Sequence, residues 1–343
     1  MRNKSKPSFP IVINLDNVET FQGYLITWFA DVATTYLINM RLSPEVKNKA
    51  EALCQEADNY ISTLKEKHLE ICGRSPVPLT QNDKEELFDL CKAVESICDY
   101  SRGKRETYRL QPALSLEFTE YIRSFMPRVS TRTLKRNLIG VESILQGLAV
   151  IGARISRAYL GEESGYVFID VPNPEAVDYR KLSGMAVEIT RSINSNEGGR
   201  LSLLVGVASA IALVYRDTLK ELAKKSQVKV NFVRLTRTGN KTVMKAFEIL
   251  DLSSLASRIY SLGIASPIYS LTSRYPPKEK RVLRSFIERL SRAIIICELL
   301  NDYTEMYAVL RSLPSENLLS ELKGYENWER IVDSLLKIRI QLW

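Results

Sequence analysis

Apolar positions recur every three or four residues over most of the chain, which predicts a helix-rich protein. Phe21, Leu25, Trp28, Phe29, Val32, Tyr36 and Leu37 mark a first helix over 17–40, with Asp16 or Asn17 as its cap. A second opens at Ser43-Pro44-Glu45, with proline at the first helical position, and runs to about Ile71. Pro76 and Pro78 stiffen the link to a third, from Thr80 or Asn82 to about Tyr100. Residues 101–112 read as irregular and basic. A helix follows over 115–125, then a long one capped by Ser130 that runs to about Tyr159 and closes at Gly161 and Gly165.

The texture changes at Tyr166. Tyr166–Val171 reads as a strand halted by Pro172-Asn173-Pro174, and Met185–Thr190 as a second. The apolar run Leu201–Tyr215 predicts a buried helix over about 201–225. Val228–Leu235 and Val243–Leu250 read as strands, and Gly239-Asn240 between them is a hairpin turn signal. Helices return from Asp251 or Ser253 to Leu262, from Pro276-Pro277 to about Leu310, and over 325–342. The expected fold class is α+β: predominantly helical, with a small antiparallel sheet in the middle of the chain and flanking helical regions. Four regions are expected: a helical bundle over 1–100, a basic linker and helices over 101–160, a mixed sheet and helix region over 161–250, and a C-terminal helical region over 251–343.

Charge changes this picture more than composition does. The net charge is +8, but residues 1–99 hold 11 Lys or Arg against 15 Asp or Glu. An acidic third beside a basic remainder points to one surface for a polyanion and another for a protein neighbour. A plain solubilising surface is the competing reading. The longest apolar run, 15 residues, is shorter than the roughly 18–20 that cross a bilayer. The N-terminal segment lacks a secretory pattern, so a cytoplasmic location without membrane contact is expected.

Cys54, Cys72, Cys91, Cys98 and Cys297 form no CxxC pair, and their uneven spacing fits a reducing compartment better than a disulfide framework. Cys54, Cys91 and Cys98 sit in helical patterns beside Leu or Ile, so core packing is their default, although the four cysteines of the first third could cluster in space. His68 is the only histidine, which excludes sites built on several. Its helical, charged surroundings read as solvated surface.

Nucleotide-binding loops of the GxxxxGK[ST] and GxGxxG kinds are absent, as are HExxH, GxSxG and EF-hand patterns. No cofactor is expected. Gly198-Gly199-Arg200 precedes a helix, so its backbone N–H groups are a phosphate-binding candidate, with a simple flexible turn as the alternative. A metal-dependent nuclease needs converging carboxylates. Asp170, Asp178 and Glu188 are the candidates, but PD-(D/E)xK spacing is missing.

Three basic segments stand out. Arg123, Arg128, Arg132, Lys135 and Arg136 carry no acid between them, and Arg132, Lys135 and Arg136 share a helix face. Lys229, Arg234, Arg237, Asn240, Lys241 and Lys245 lie in or beside the hairpin, where arginine forks suit phosphate and sugar contacts. Arg274–Arg292 holds seven basic and two acidic residues. There Lys278, Arg281, Arg284 and Arg292 trace a helix stripe, and Tyr275 is a stacking candidate. An acidic partner protein is the competing occupant of that stripe.

The passages GYVFIDVPNP, VKVNFVRLTRTGNKTVMKAFEILDL and IICELLNDYTEMYAVLRSLPSE, together with the helix–sheet–helix order, resemble the Cas8a2-type, Csa4-like subunits of archaeal type I-A CRISPR effector complexes. The resemblance spans about residues 160–316 and transfers no functional residue position by position. It implies a non-catalytic part of an RNA-guided DNA surveillance complex. Such a subunit contacts guide RNA, target DNA or both, and docks other effector subunits, including a helicase or nuclease. Base pairing then reads the long sequence while protein reads backbone or a short tag. A metal-dependent nuclease and a purely structural assembly protein are the alternatives.

Overall fold

The computed structural model describes residues 9–66, 71–73, 76–77, 88–110, 139–160, 163–171, 173–195, 198–215, 228–238 and 241–341. The fold is mostly helical, with small sheets flanked by helices, as the apolar periodicity predicts. It divides into two compact units, residues 1–157 with 233–246 and residues 158–232 with 247–343.

The first unit joins β1 (Ile11–Ile13), α1 (Leu25–Ile38), α2 (Ala50–Glu66), α3 (Leu90–Ser101), β2 (Thr107–Arg109), β3 (Ile139–Glu142) and α4 (Ser143–Ser156). The three strands form a sheet in the order β1-β3-β2. β1 lies parallel to β3 with Ile11 opposite Ile139, and β2 lies antiparallel with Arg109 opposite Gly140. None of these strands was expected, because three or four residues are too few to show alternation. The long helix expected from Ser130 is corrected accordingly. Residues 139–142 are strand, the helix spans Ser143–Ser156, and Arg157–Leu160 is strand again (β4). Gly140 explains the first break, because a Cβ there would lie 2.5 Å from the Phe9 ring, which covers the strand.

α4 is the axis of this unit. Every one of its residues except Arg154 is buried. It packs on α1 and α3, and α2 packs on α3. Two glycines permit the approach. A Cβ on Gly147 would lie 2.7 Å from the Ala93 carbonyl oxygen, and one on Gly152 only 1.7 Å from that of Phe29. The expected first helix is split. Asn14, not Asp16 or Asn17, caps a 3-10 turn over Leu15–Phe21 in a capping box, and α1 starts later. Asn39 ends α1 in the left-handed conformation. The second expected helix likewise begins as a 3-10 turn, Pro44–Lys49, before α2. Asp89 caps α3 by accepting from the Lys92 N–H.

The cysteines overturn the sequence reading. Cys54 on α2 is bonded to Cys98 on α3, and Cys72 to Cys91. Cys91 and Cys98 are seven residues apart on α3, hence on one face, and uneven spacing in sequence becomes pairing in space. Cys297 is a free, buried thiol. His68 lies outside the described residues.

The second unit is built around α6 (Arg200–Val214), the expected buried helix, here ending at Val214. Residues from Ser202 to Ala212 are buried all round except Leu204, so the helix has no polar face. α5 (Tyr179–Ser195), α7 (Ser253–Ser261), α8 (Ala265–Ser273) and α9 (Arg281–Leu300) pack against it. α10 (Thr304–Arg311) and α11 (Glu316–Leu322) pack on α9, and α12 (Trp328–Gln341) packs on α8 and α10. The strand expected at Met185–Thr190 is instead the middle of α5. Leu182, Ala186, Ile189 and Ile193 are buried at helical spacing, while Lys181, Glu188 and Arg191 are exposed. The single helix expected from Pro276 to Leu310 is two, because Asn301 ends α9 in the left-handed conformation. β5 (Glu163–Asp170), β6 (Lys229–Thr238) and β7 (Lys241–Asp251) join β4 in a sheet of order β4-β5-β6-β7. The expected hairpin is therefore present, with its two strands joined through residues 239–240. Among the described residues no helix is long and apolar enough to cross a membrane.

Candidate nucleic-acid interface

α9 carries one of the three basic segments. Leu283, Phe286, Ile287, Leu290, Ala293, Ile294 and Cys297 face the core. Arg281, Ser285, Arg289 and Arg292 occupy the opposite, exposed side at spacings of four, four and three. The two acids of the helix do not share that side. Glu288 turns inward, and its Oε1 accepts from the Gly199 N–H at 2.9 Å, the Ser202 hydroxyl at 2.6 Å and the Tyr275 hydroxyl at 2.6 Å. Glu298 pairs with Arg258, which also donates to Tyr303 and Asn301 and so ties the end of α9 to α7. The helix thus keeps its negative charges against the fold and presents its positive ones outward. Arg292 shares its charge with Glu305 at 3.3 Å. No ion pair involves Arg281 or Arg289 among the described residues. Glu321 caps α9 by accepting from the Leu283 N–H at 2.7 Å, and Lys280 donates to the Glu321 carbonyl oxygen. The stripe ends in an exposed apolar pair, Leu299 and Leu300, which are 75% and 71% exposed.

The predicted members of this stripe divide. Lys278 and Arg281 are exposed. Arg284 turns to the Tyr275 ring, its guanidinium carbon 5.4 Å from the centroid, and so leaves the outer face. Tyr275 is buried, with its hydroxyl on Glu288, and its ring is not open to a base. Burial, with the Glu288 carboxylate second, pushes its pKa up to about 12. Arg289 takes the place that sequence reasoning gave to Arg284. The signal that could have found it is its spacing of eight from Arg281.

At Gly198-Gly199-Arg200 the helix N-terminus meets an internal carboxylate. Gly199 is half-buried and donates to Glu288, and a Cβ on it would lie 2.3 Å from Glu288 Oε2. Gly198 donates to the Ile193 carbonyl at 2.7 Å, while Arg200 is exposed. The dipole and orphan N–H that attract an anion are thus met from within the unit. Glu288→Ala leaves the Gly199 N–H and two hydroxyls without that acceptor. A loss of about 2–4 kcal/mol is expected, since bonds to a charged group are worth ~1.5–3 kcal/mol each and the site is only part-buried. Glu288→Gln should retain roughly half of the stability lost in the alanine variant. Urea denaturation of the two variants checks this.

In the hairpin, Lys229 and Arg234 are exposed positions of β6. Arg237, Lys241 and Lys245 lie on the strands by backbone, but their side chains, and Asn240 altogether, lie outside the described residues. Arg123, Arg128, Arg132, Lys135 and Arg136 also lie outside them. Among the described residues no group of three or more His, Cys, Asp or Glu could hold a metal ion. Glu188, expected on a strand near Asp170, stands on the exposed side of α5 instead.

Comparison with known proteins returned no matching family model, no matching curated protein and no matching solved structure.

Proposed function

We propose that this protein is a non-catalytic, nucleic-acid-binding subunit of a larger assembly. The observation that carries the reading is the outer face of α9, where Arg281 and Arg289 make no ion pair among the described residues and Arg292, exposed beside them, shares its charge with Glu305, while Glu288 and Glu298 are engaged by the fold. Arginines on a rigid helix suit phosphate contacts, which position a protein on a strand without reading its sequence. The exposed Leu299–Leu300 pair at the end of the same helix supports docking of a neighbouring protein. The resemblance to Cas8a2-type subunits supplies the assembly: an RNA-guided surveillance complex, with guide RNA or target DNA as ligand and other effector subunits as neighbours. A cytoplasmic location belongs to the same proposal. Two disulfides are compatible with it in hyperthermophilic archaea, whose intracellular proteins are disulfide-rich.

The test is binding of fluorescein-labelled single-stranded RNA and duplex DNA by anisotropy, with wild-type protein and the double variant Arg281→Glu/Arg289→Glu. Both side chains are exposed, so the melting temperature should hold within the roughly ±0.5 kcal/mol expected of surface substitutions. Affinity should fall at least about tenfold at low salt. Equal binding by a folded double variant would remove α9 from the interface.

A further inference from the structure

A candidate site of a different kind lies in the first unit. α3 lines one wall of a cleft of about 280 Å³ with Lys92, Glu95, Ser96 and Asp99, at one-turn spacing. Lys104, Glu106 and Tyr108, from the segment entering β2, line another, and Ser143 closes the end. Ser143 is the first residue of α4 and is 2% exposed. Its N–H donates to the Glu106 carbonyl at 2.9 Å, but its hydroxyl has no hydrogen-bond partner among the described residues. A buried hydroxyl without a partner costs stability unless something else supplies the bond. Gln146, one turn further on, also keeps a buried Oε1 without a partner. The N-terminus of α4 has no side-chain cap either, because the Glu142 side chain is held by Arg105 and by the Leu15 N–H.

The charges around Ser143 are mixed, and some are already matched. Asp99 takes Lys104 at 2.9 Å, and Glu106 accepts from the Tyr108 hydroxyl. The Lys92 ammonium lies 5.4 and 5.2 Å from the ring centroids of Phe88 and Tyr108, and no carboxylate pairs with it among the described residues. Glu95 is exposed and likewise has no basic partner among them. The cleft therefore offers a positive group and a buried hydroxyl to an anion, and an unmatched carboxylate to a cation. A ligand of one sign would leave one of these unmet and face the other's repulsion. The volume is just below the roughly 300–1,000 Å³ usual for ligand pockets, so only a small molecule fits.

We propose that this cleft binds a small zwitterion of the α-amino-acid class, its carboxylate held by Lys92 and the Ser143 hydroxyl, and its ammonium by Glu95 and Glu106. The site is independent of the nucleic-acid reading. The experiment is isothermal titration of the full chain with glycine, L-glutamate and L-arginine, against acetate and methylamine as single-charge controls. At least one amino acid should bind, and neither control should match it. Ser143→Ala separates a ligand role from a structural one. Removing an unpartnered hydroxyl should leave the free protein as stable or more stable, yet weaken the amino acid about tenfold, the worth of one good hydrogen bond. Lys92→Met and Glu95→Gln should each weaken it too, while RNA binding stays unchanged in all three variants. The proposal is overturned if no amino acid binds more tightly than about 10 mM. It is equally overturned if Ser143→Ala binds like wild type, or if acetate or methylamine binds as well as the amino acids.

Discussion

Gly152→Ala is expected to destabilise the first unit by about 3 kcal/mol or more. The added Cβ would sit 1.7 Å from the Phe29 carbonyl oxygen and 2.5 Å from its carbon. Both atoms are backbone, so no rotamer change relieves the clash, and α1 and α4 must part. Each helix brings a nearly continuous set of buried residues to the first unit. Separating them opens space that the dense packing around them does not refill. Overpacking in a tight core costs typically ~1–3 kcal/mol, and a clash on backbone belongs at or above the top of that range. Against a net stability of about 5–15 kcal/mol, such a loss shows as aggregation on expression or a markedly lowered melting temperature. Gly184→Ala is the matched control. Gly184 lies within α5, is exposed, and a Cβ there would have nothing within 4 Å. There alanine should stabilise by about 0.5–1 kcal/mol through helix propensity. Circular dichroism melts of the two variants beside wild type measure both effects, and a Gly152→Ala variant that melts like wild type would contradict the packing described.

Removing the disulfides should produce a loss of similar size. Cys54–Cys98 closes 44 residues and Cys72–Cys91 closes 19. In the chain-entropy account, loops of those lengths stabilise the folded state by about 4 and about 3 kcal/mol. Cys54→Ser with Cys98→Ser should therefore cost about 4 kcal/mol, and the second pair somewhat less. Both links act on the region that joins α2 to α3, so the loss falls on the first unit. Guanidinium unfolding with and without dithiothreitol tests this. A reduced protein with an unchanged midpoint would show that the bonds contribute nothing to the fold.

These two results rest on features that the sequence shows unequally. Long amphipathic patterns were legible: α1, α9 and α12 carry their apolar residues at helical spacing, and each lies within the span expected for it, although the spans for α1 and α9 were too long. The hairpin was legible because a turn dipeptide sits between two β-branched runs. Short strands were not, since β1 and β2 have three residues each and owe their existence to a partner far along the chain. Met185–Thr190 misled because Val187 and Ile189 flank Glu188, which imitates alternation; only the wider spacing from Leu182 to Ile193 reveals the helix. Close approach was also hidden. Nothing local to Gly152 announces Phe29, and nothing near Gly199 announces Glu288, 89 residues away.

The candidate interface shows the same limit. Counting charges located the basic segment of α9, but not which charges face out. Arg284 and Tyr275 went to each other and to Glu288, while Arg289 joined the exposed stripe. The first-unit cleft was not legible at all. Its walls come from α3, the approach to β2 and the start of α4, and its marker is an unmet hydroxyl that only packing reveals.

The central claim is that the outer face of α9 binds a polyanion backbone, and the salt dependence of binding tests it most directly. Each phosphate contact releases counterions and contributes about −0.7 to −0.9 to the slope of log affinity against log salt. Wild-type protein titrated with labelled RNA and DNA from about 50 to 300 mM salt should show a linear fall with a slope of about −3 or steeper. Arg281→Glu/Arg289→Glu should flatten that slope by about 2. Absence of binding at the lowest salt, or an affinity that does not change with salt, would contradict the account.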